Sequence, residues 1–197
     1  AQQSLLGNDQ STLAEVRDPF RVREEIRAAH IPDLKIRRSD DPPPRDGQWL
    51  IKPLRGGGGR GVAIWDEAAM SSATLREPHY FQQRATGETL SAVFVASQDP
   101  LQVRYVGLTR QLIGIEELNA PAFHWCGSIG PVALETRGEI LTRRTGTVLA
   151  HRFGLRGLFG CDFVINSDGE PLLTEVNPRY TGSVELLEVL CGATLLE

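Results

Sequence analysis

The chain has 197 residues, 41% of them hydrophobic and 23% charged, which is enough for one sizeable domain or two small lobes on a shared core. A formal net charge of −4 argues against a dedicated nucleic-acid surface, which needs an excess of Lys and Arg, though a local basic pocket for phosphates stays open. No window has the apolar run of a membrane span, and Ala1 to Gln10 has neither the basic start nor the apolar core of a signal peptide.

In chain order, Ala1 to Arg17 is polar and reads as a loosely ordered segment. Asp18-Pro19 is a helix start, with Asp as N-cap and Pro at the first helical position. That helix is expected to run to about His30, with Phe20, Ile26 and Ala29 inward. Arg37 to Gln48, with Asp40-Asp41, three prolines and Gly47, reads as a loop or linker. Trp49 to Lys52 is a short strand, a glycine run follows, and Val62 to Trp65 is the returning strand. Asp66 can cap a short helix through Leu75. Tyr80 to Arg84, Leu90 to Ala96 and Gln102 to Ile113 are expected as strands of one antiparallel sheet, with turns at Gly87 and Asp99-Pro100. Ile115 to Gly130 reads as loop. Leu134, Leu141, Val148 and Leu155 recur every seventh residue, as on one helix face, with Gly138 and Gly146 weakening that helix. Cys161 to Ile165 and Pro171 to Val176 are strands about Asp168-Gly169, and Val184 to Leu190 begins a helix. Mixed strands and helices make the chain α+β.

Gly56-Gly57-Gly58-Gly59-Arg60-Gly61 carries the loudest local signal. Glycines let backbone N–H groups close around phosphate oxygens. A dinucleotide fingerprint has to open a helix, and Val62 to Trp65 is strand-like, so a nicotinamide-type oxidoreductase is disfavoured. No Gly-Lys-Ser/Thr follows, and the lysine of a protein-kinase loop lies after the glycines, whereas Lys52 lies before them. What remains is a strand bearing Lys52, a glycine hairpin able to fold over as a lid, and a returning strand. A surface hairpin with a solvated lysine is the competing interpretation.

Asp168-Gly169 suits a two-residue type I′ turn, and a hairpin centred there places Asp162 opposite Glu175. Alternation puts Asn177 on the face of Glu175, together with Gly160, Val164 and Leu173. Opposed like charges destabilise a sheet unless a cation bridges them, and hard oxygen donors suit Mg²⁺. A solvent-facing acidic pair balanced by nearby Arg is the alternative. Arg179, two residues past Asn177 and stiffened by Pro178, can hold an anionic reactant or the charge on a transferred phosphoryl group. It can equally pair on the surface with Glu185 or Glu188. Cys161 points to the opposite strand face and reads as core. Cys126, Cys161 and Cys191 form no disulfide framework or zinc spacing, which favours a reducing cytoplasm, and the four histidines are scattered.

Trp-Leu-Ile-Lys-Pro before a glycine loop, then Asp-Phe-Val-Ile, then Glu-Val-Asn-Pro-Arg, in this order and at these separations, resembles the ATP-grasp superfamily. Its nearest flavour is the group of ATP-dependent carboligases with a Glu-x-Asn-Pro-Arg motif. The resemblance runs from about Pro19 to the end. It implies two α+β lobes with antiparallel sheets gripping ATP between them, a glycine-loop lobe over about 49–80 and a second lobe over about 81–197. It implies Lys52 on the α/β-phosphates and Gly57, Gly58 and Gly59 in the phosphate lid. Backbone around Gln83, Arg84 and Ala85 would meet adenine, and Glu88 the ribose. Asp162, Glu175 and Asn177 match metal-ligand positions for Mg²⁺, with Mn²⁺ the alternative, and Arg179 matches the arginine that supports reactive intermediates.

The function implied is ligation through an acylphosphate, formed from a small-molecule carboxylate and attacked by an amine or similar acceptor, with carbon–nitrogen bond formation the leading case. A phosphotransferase and a non-catalytic nucleotide-binding module are the rival readings. Members usually carry an N-terminal substrate-binding domain, so the chain is expected to be a piece of a longer protein whose site that domain completes. Arg110, His124 and Trp125 either line a substrate pocket or pack.

Overall fold

A computed structural model describes residues 7–67, 77–97, 102–192 and 194. The expected helix after Asp66 and the turn at Asp99-Pro100 lie outside, or largely outside, the described residues. In chain order the elements are α1 (Gln10–Val16), α2 (Pro19–Ala28), β1 (Ile36–Arg38), β2 (Trp49–Pro53), β3 (Ala63–Ile64), β4 (His79–Gln83), β5 (Glu88–Ala96), β6 (Val103–Ile113), β7 (Trp125–Ile129), α3 (Thr136–Phe153), β8 (Gly157–Ile165), β9 (Pro171–Asn177) and α4 (Gly182–Cys191). The strands form two sheets, ordered β1-β4-β2-β3 and β7-β6-β5-β8-β9. The chain divides into two units, one of residues 1–33, 87–111 and 128–197, the other of 34–86 and 112–127. Residues 81–86 and 112–127 fall in the unit that holds the glycine loop.

The first unit is built on β5, β8 and β9, paired antiparallel. One face of these strands carries Leu90, Ala92, Phe94, Phe159, Cys161, Phe163, Leu173 and Val176, packed with Leu149, Ala150 and Phe153 of α3 and Val22 and Ile26 of α2. Each large side chain taken from water here contributes roughly 1.5–3 kcal/mol. Phe94 stacks on Phe159 with ring centroids 5.1 Å apart. The other face carries Val93 and Leu158 under Val184 and Leu187 of α4.

The N-terminal segment is more ordered than its polarity suggests. Asp9 caps α1 by accepting from Thr12 N–H at 2.8 Å, and Val16 is buried in the core. The Asp9 carboxyl is held below its ordinary range, first by the Thr12 backbone hydrogen bond. Asp18 caps α2 as expected, accepting from Phe20 N–H at 2.8 Å. Val22 and Ile26 are the buried residues of α2, and Phe20 is half-buried.

The helix α3 is present, but its buried stripe differs from the heptad. Gly138, Thr142, Thr145, Gly146, Leu149, Ala150 and Phe153 face inward, and Leu134 and Leu155 lie beyond the helix ends. The two glycines are close approaches. A Cβ on Gly138 would lie 3.0 Å from the Gly169 carbonyl oxygen, and one on Gly146 would lie 2.3 Å from the Phe94 ring.

In the second unit, β4 pairs with β1 and β2, so it does not join β5 and β6 in one sheet as the sequence suggested. Gly87 makes the break. Its φ of +151° belongs to glycine, and a Cβ there would lie 1.8 Å from the Ile165 carbonyl oxygen. The first two residues of the stretch read as linker belong to β1, which pairs along β4: Ile36, Arg37 and Arg38 lie opposite Gln82, Phe81 and Tyr80. Its composition is polar, so only the ladder reveals it. The stretch read as loop likewise contains a 3₁₀ turn at Glu116–Leu118 and the strand β7. Ile51, Trp65 and Phe81 form the core of this unit, with the Trp65 and Phe81 rings 4.8 Å apart. The Trp65 indole N–H donates to the Pro43 carbonyl at 2.9 Å, and Arg45 lies 4.5 Å over the same ring, so the proline loop is clasped to the core.

Candidate nucleotide and metal site

The hairpin of β8 and β9 places Asp162 opposite Glu175. It does so by a different route from the expected one. Ile165, Val164 and Phe163 lie opposite Pro171, Leu172 and Leu173, one residue off the register of a two-residue turn. The tip is longer: Asn166 N–H donates to the Glu170 carbonyl, Gly169 N–H donates to the Asn166 carbonyl, and Gly169 has φ +74°. This is a three-residue loop closed by a glycine bulge. The register then shifts between Asp162 and Phe163, with Thr174 as the extra residue, and the two offsets cancel. Thr174 Oγ1 donates to the Asp162 carbonyl at 3.0 Å and fastens the bulge. The shift also corrects the expected face of Leu173, which packs in the core beside Phe163 instead of sharing the carboxylate face.

Asp162 and Glu175 are half-buried, and Asn177 is buried. Asn177 Nδ2 donates to Asp162 Oδ2 at 2.9 Å, and Arg179 Nη2 donates to Asn177 Oδ1 at 3.2 Å. Arg179 Nη1 also donates to the Tyr180 carbonyl at 3.0 Å. Of its expected surface partners, Glu188 instead accepts from the Tyr180 hydroxyl at 3.1 Å. Asp162, Asn177 and Arg179 are thus linked in series, with Glu175 across the ladder. Among the described residues no three His, Cys, Asp or Glu side chains converge on one point. Two carboxylates and an amide are a hard, oxygen-bearing set, and they fit Mg²⁺, which completes its shell with water and phosphate. Cys161 is fully buried on the opposite face, and burial, with the Asp162 charge second, pushes its thiol well above the ordinary range.

Lys52 belongs to the other unit. It projects from β2 opposite Tyr80 and donates through Nζ to Gln82 Oε1 at 3.0 Å. Its Nζ lies 5.9 Å from the centre of the Tyr80 ring. Gln82 is 6% exposed. Sequence reading missed Gln82, because only the β2–β4 register shows that it shares a face with Lys52.

The glycine loop leans on the segment at Phe123. Trp125 N–H donates to the Gly58 carbonyl at 3.4 Å, and a Cβ on Gly59 would lie 1.8 Å from the Phe123 carbonyl oxygen. Gly57 accepts from Arg60 N–H in the turn. His124 gives its carbonyl to Gly114 N–H, and the Trp125 side chain is 44% exposed.

At the end of β4, the amides of Gln83 and Arg84 donate to the carbonyls of Lys35 and Gln48, each at 2.8 Å. Of the three expected adenine contacts, only Ala85 keeps its amide outside such a bond. Glu88 forms an ion pair with Arg110 at the start of β5. Strand alternation puts Glu88 on the Leu90 face of the sheet, opposite to that of Asp162.

Two antiparallel sheets with helices define an α+β protein carrying a glycine-rich loop and a carboxylate hairpin. A family model described as ATP-grasp domain matches residues 16–183, and the chain belongs to that family. The fold is shared with solved structures. An ATP-grasp superfamily protein from Archaeoglobus fulgidus is 21% identical, with a TM-score of 0.69 over 97% of this chain and 55% of its own. The L-amino acid ligase from Bacillus licheniformis is 16% identical, with a TM-score of 0.76 over 98% of this chain and 48% of its own. Biotin carboxylase from Campylobacter jejuni is 15% identical, with a TM-score of 0.75 over 97% of this chain and 46% of its own. The chain thus spans about half the length of these structures. No curated protein matches it. Among the described residues no helix is long and apolar enough to cross a membrane.

Proposed function

We propose that the chain carries an ATP- and Mg²⁺-dependent ligase domain that activates a small-molecule carboxylate for attack by an amine. The observation that carries this reading is the Asp162–Glu175 pair, held opposite each other with Asn177 and Arg179 attached, in a member of the ATP-grasp family. A carboxylate oxygen of the substrate attacks the γ-phosphorus of ATP, the bond to the bridging oxygen breaks, and ADP leaves. The amine then adds to the acylphosphate carbon, the carbon–oxygen bond to phosphate breaks, and a proton is lost from nitrogen.

Bound Mg²⁺ would supply positive charge against the β- and γ-phosphates. Asp162, Glu175 and Asn177 would hold it. Arg179 would face the transferred group with a fixed, planar set of donors. Lys52 would neutralise phosphate charge from the other unit, Gly57 to Gly59 would cover the phosphates with backbone, and Ala85 would meet adenine. Cys126 and Cys161 are free thiols, which supports a reducing compartment such as the cytoplasm.

Calorimetric titration with a non-hydrolysable ATP analogue, with and without Mg²⁺, tests the reading. Binding is expected to strengthen with Mg²⁺ and to lose that response in Glu175→Ala. A folded protein that binds no nucleotide under either condition sinks the proposal. With ATP itself, ADP released only when both a carboxylate and an amine are present supports ligation; a stable phosphorylated acceptor would make the chain a phosphotransferase.

Gln82 gives a second prediction. As a neutral acceptor it orients Lys52 without cancelling its charge. Gln82→Glu keeps the hydrogen bond but adds an opposing charge beside the amine, and is expected to weaken analogue binding more than about tenfold. Gln82→Met removes the amide without adding charge and is expected to cost about threefold. Equal effects of the two variants would show that charge at Lys52 is not what the nucleotide senses.

A further inference from the structure

Asn8 lies ahead of the region matched by the family, which begins at residue 16. Its side-chain amide reaches two segments distant in sequence. Oδ1 accepts from Arg156 N–H at 2.8 Å, and Nδ2 donates to the Pro178 carbonyl at 3.4 Å. Arg156 immediately precedes β8, the strand of Asp162, and Pro178 separates Asn177 from Arg179. The ladder between β8 and β9 runs only as far as Gly160 opposite Asn177. Beyond it, proline has no N–H to give, and the strands part. A primary amide offers one acceptor and a donor group, as a peptide does. The Asn8 side chain therefore bridges the residue just before β8 and the residue just after β9, outside the ladder that joins the two strands. The segment bearing it is itself anchored, because Asp9 caps α1 and Val16 is 1% exposed in the core.

We propose that Asn8 is a positioning residue for the metal set. The assignment rests on reading Asp162, Glu175 and Asn177 as ligands. Upstream of Asn177 the chain is fixed by Val176, which packs in the core. Downstream, Arg179 N–H donates to the Asn177 carbonyl at 2.8 Å, but that turn moves with the residue it holds. Beside the Gly160–Asn177 rung and the Asn177–Asp162 bond, the Pro178 carbonyl is a further point where this turn is tied to the rest of the unit, and Asn8 makes that tie. By fixing Pro178, Asn8 sets where the Asn177 amide and the Arg179 guanidinium lie relative to Asp162. Partners of ligands in this position govern metal affinity without touching the metal.

The test uses Asn8→Ala and Asn8→Asp in the full chain. Asn8→Ala gives up both bonds. Asn8→Asp keeps the acceptor for Arg156 and loses the donor to Pro178, so its anchor stays intact. Hydrogen exchange of the amides of residues 179–183 is expected to quicken about 3- to 10-fold in both variants. The Mg²⁺ concentration for half-saturation, at a fixed level of the non-hydrolysable ATP analogue, is expected to rise about 3- to 10-fold. Analogue affinity without Mg²⁺ should stay at the parent value. Unchanged exchange overturns the tether, and faster exchange with an unchanged Mg²⁺ response reduces it to a structural contact and overturns the positioning role. A parent protein without any Mg²⁺ response would instead overturn the metal reading itself, and that is measured before either variant is made.

Discussion

Glu175→Gln is expected to abolish the Mg²⁺ response of nucleotide binding while leaving the metal-free protein close to the parent in stability. Glutamine keeps the shape of the side chain and one oxygen, so the β9 backbone and the bulge at Thr174 have no reason to move. What changes is charge. Asp162 and Glu175 lie directly opposite across the ladder, and like charges in that relation oppose each other by roughly 0.2–1 kcal/mol. Without metal, removing one of them relieves that repulsion and offsets other small losses. With metal, it removes one of two anionic donors, and an apparent Mg²⁺ affinity at least about 100-fold weaker follows. Thermal melting separates the two effects. At an Mg²⁺–analogue concentration of 100 times Kd, the parent gains about 2.7 kcal/mol by mass action. For a chain of this size that is roughly 5–11 °C. The variant should show a flat curve across the same titration and a metal-free Tm within about 3 °C of the parent. A variant that climbs with Mg²⁺ as the parent does takes Glu175 out of the metal set.

The second large effect is on the fold. A Cβ at Gly146 would lie 2.3, 2.5 and 2.6 Å from three atoms of the Phe94 ring. Phe94 is fully buried, stacked on Phe159, and its ring centroid is 5.6 Å from that of Tyr105. The ring cannot step aside without disturbing both neighbours. Gly146→Ala gains about 1 kcal/mol of helix propensity in α3. Overpacking of a filled core costs about 1–3 kcal/mol, and contacts this short belong at the upper end. The net expectation is a loss of about 1–2 kcal/mol, or roughly 2–8 °C in Tm. Gly154→Ala is a useful comparison, since nothing lies within 4 Å of its Cβ position and φ +63° is its only cost. A Tm for Gly146→Ala at or above the parent would show that Phe94 has room to move.

Gly146 also shows what sequence reading can and cannot reach. Periodicity counts apolar side chains, so it found α3 but assigned its face to the heptad of Leu134, Leu141, Val148 and Leu155. The buried stripe instead runs through glycines and threonines, where small size is what the neighbouring sheet requires. Strand signals placed β2, β3, β4, β5, β6, β8 and β9, yet set β4 in the sheet of β5 and β6, because pairing is decided by turns and long-range packing. The carboxylate pair was legible for an instructive reason. A turn one residue too short and an unseen bulge at Thr174 cancel, so Asp162 still meets Glu175. The face of Leu173, which lies between the two irregularities, was not recoverable in the same way. Gln82 and Asn8 were invisible, since each matters only through the backbone register or the distant segment it meets.

The contact of the glycine loop with the Phe123 segment has a kinetic side. Two backbone contacts join the loop to that segment: the Trp125 amide on the Gly58 carbonyl, and the close pass of Gly59 at the Phe123 carbonyl. Glycine brings no side chain to either of these two contacts, so parting them frees no glycine rotamer. Both groups of the broken bond are met at once by water, and the net cost is about 1 kcal/mol. Such a flap opens and recloses on the nanosecond-to-microsecond scale of loops, far faster than a typical enzyme turns over. Escape of a spent nucleotide would then be timed by its own phosphates and metal, and the flap would set only how much water reaches them meanwhile.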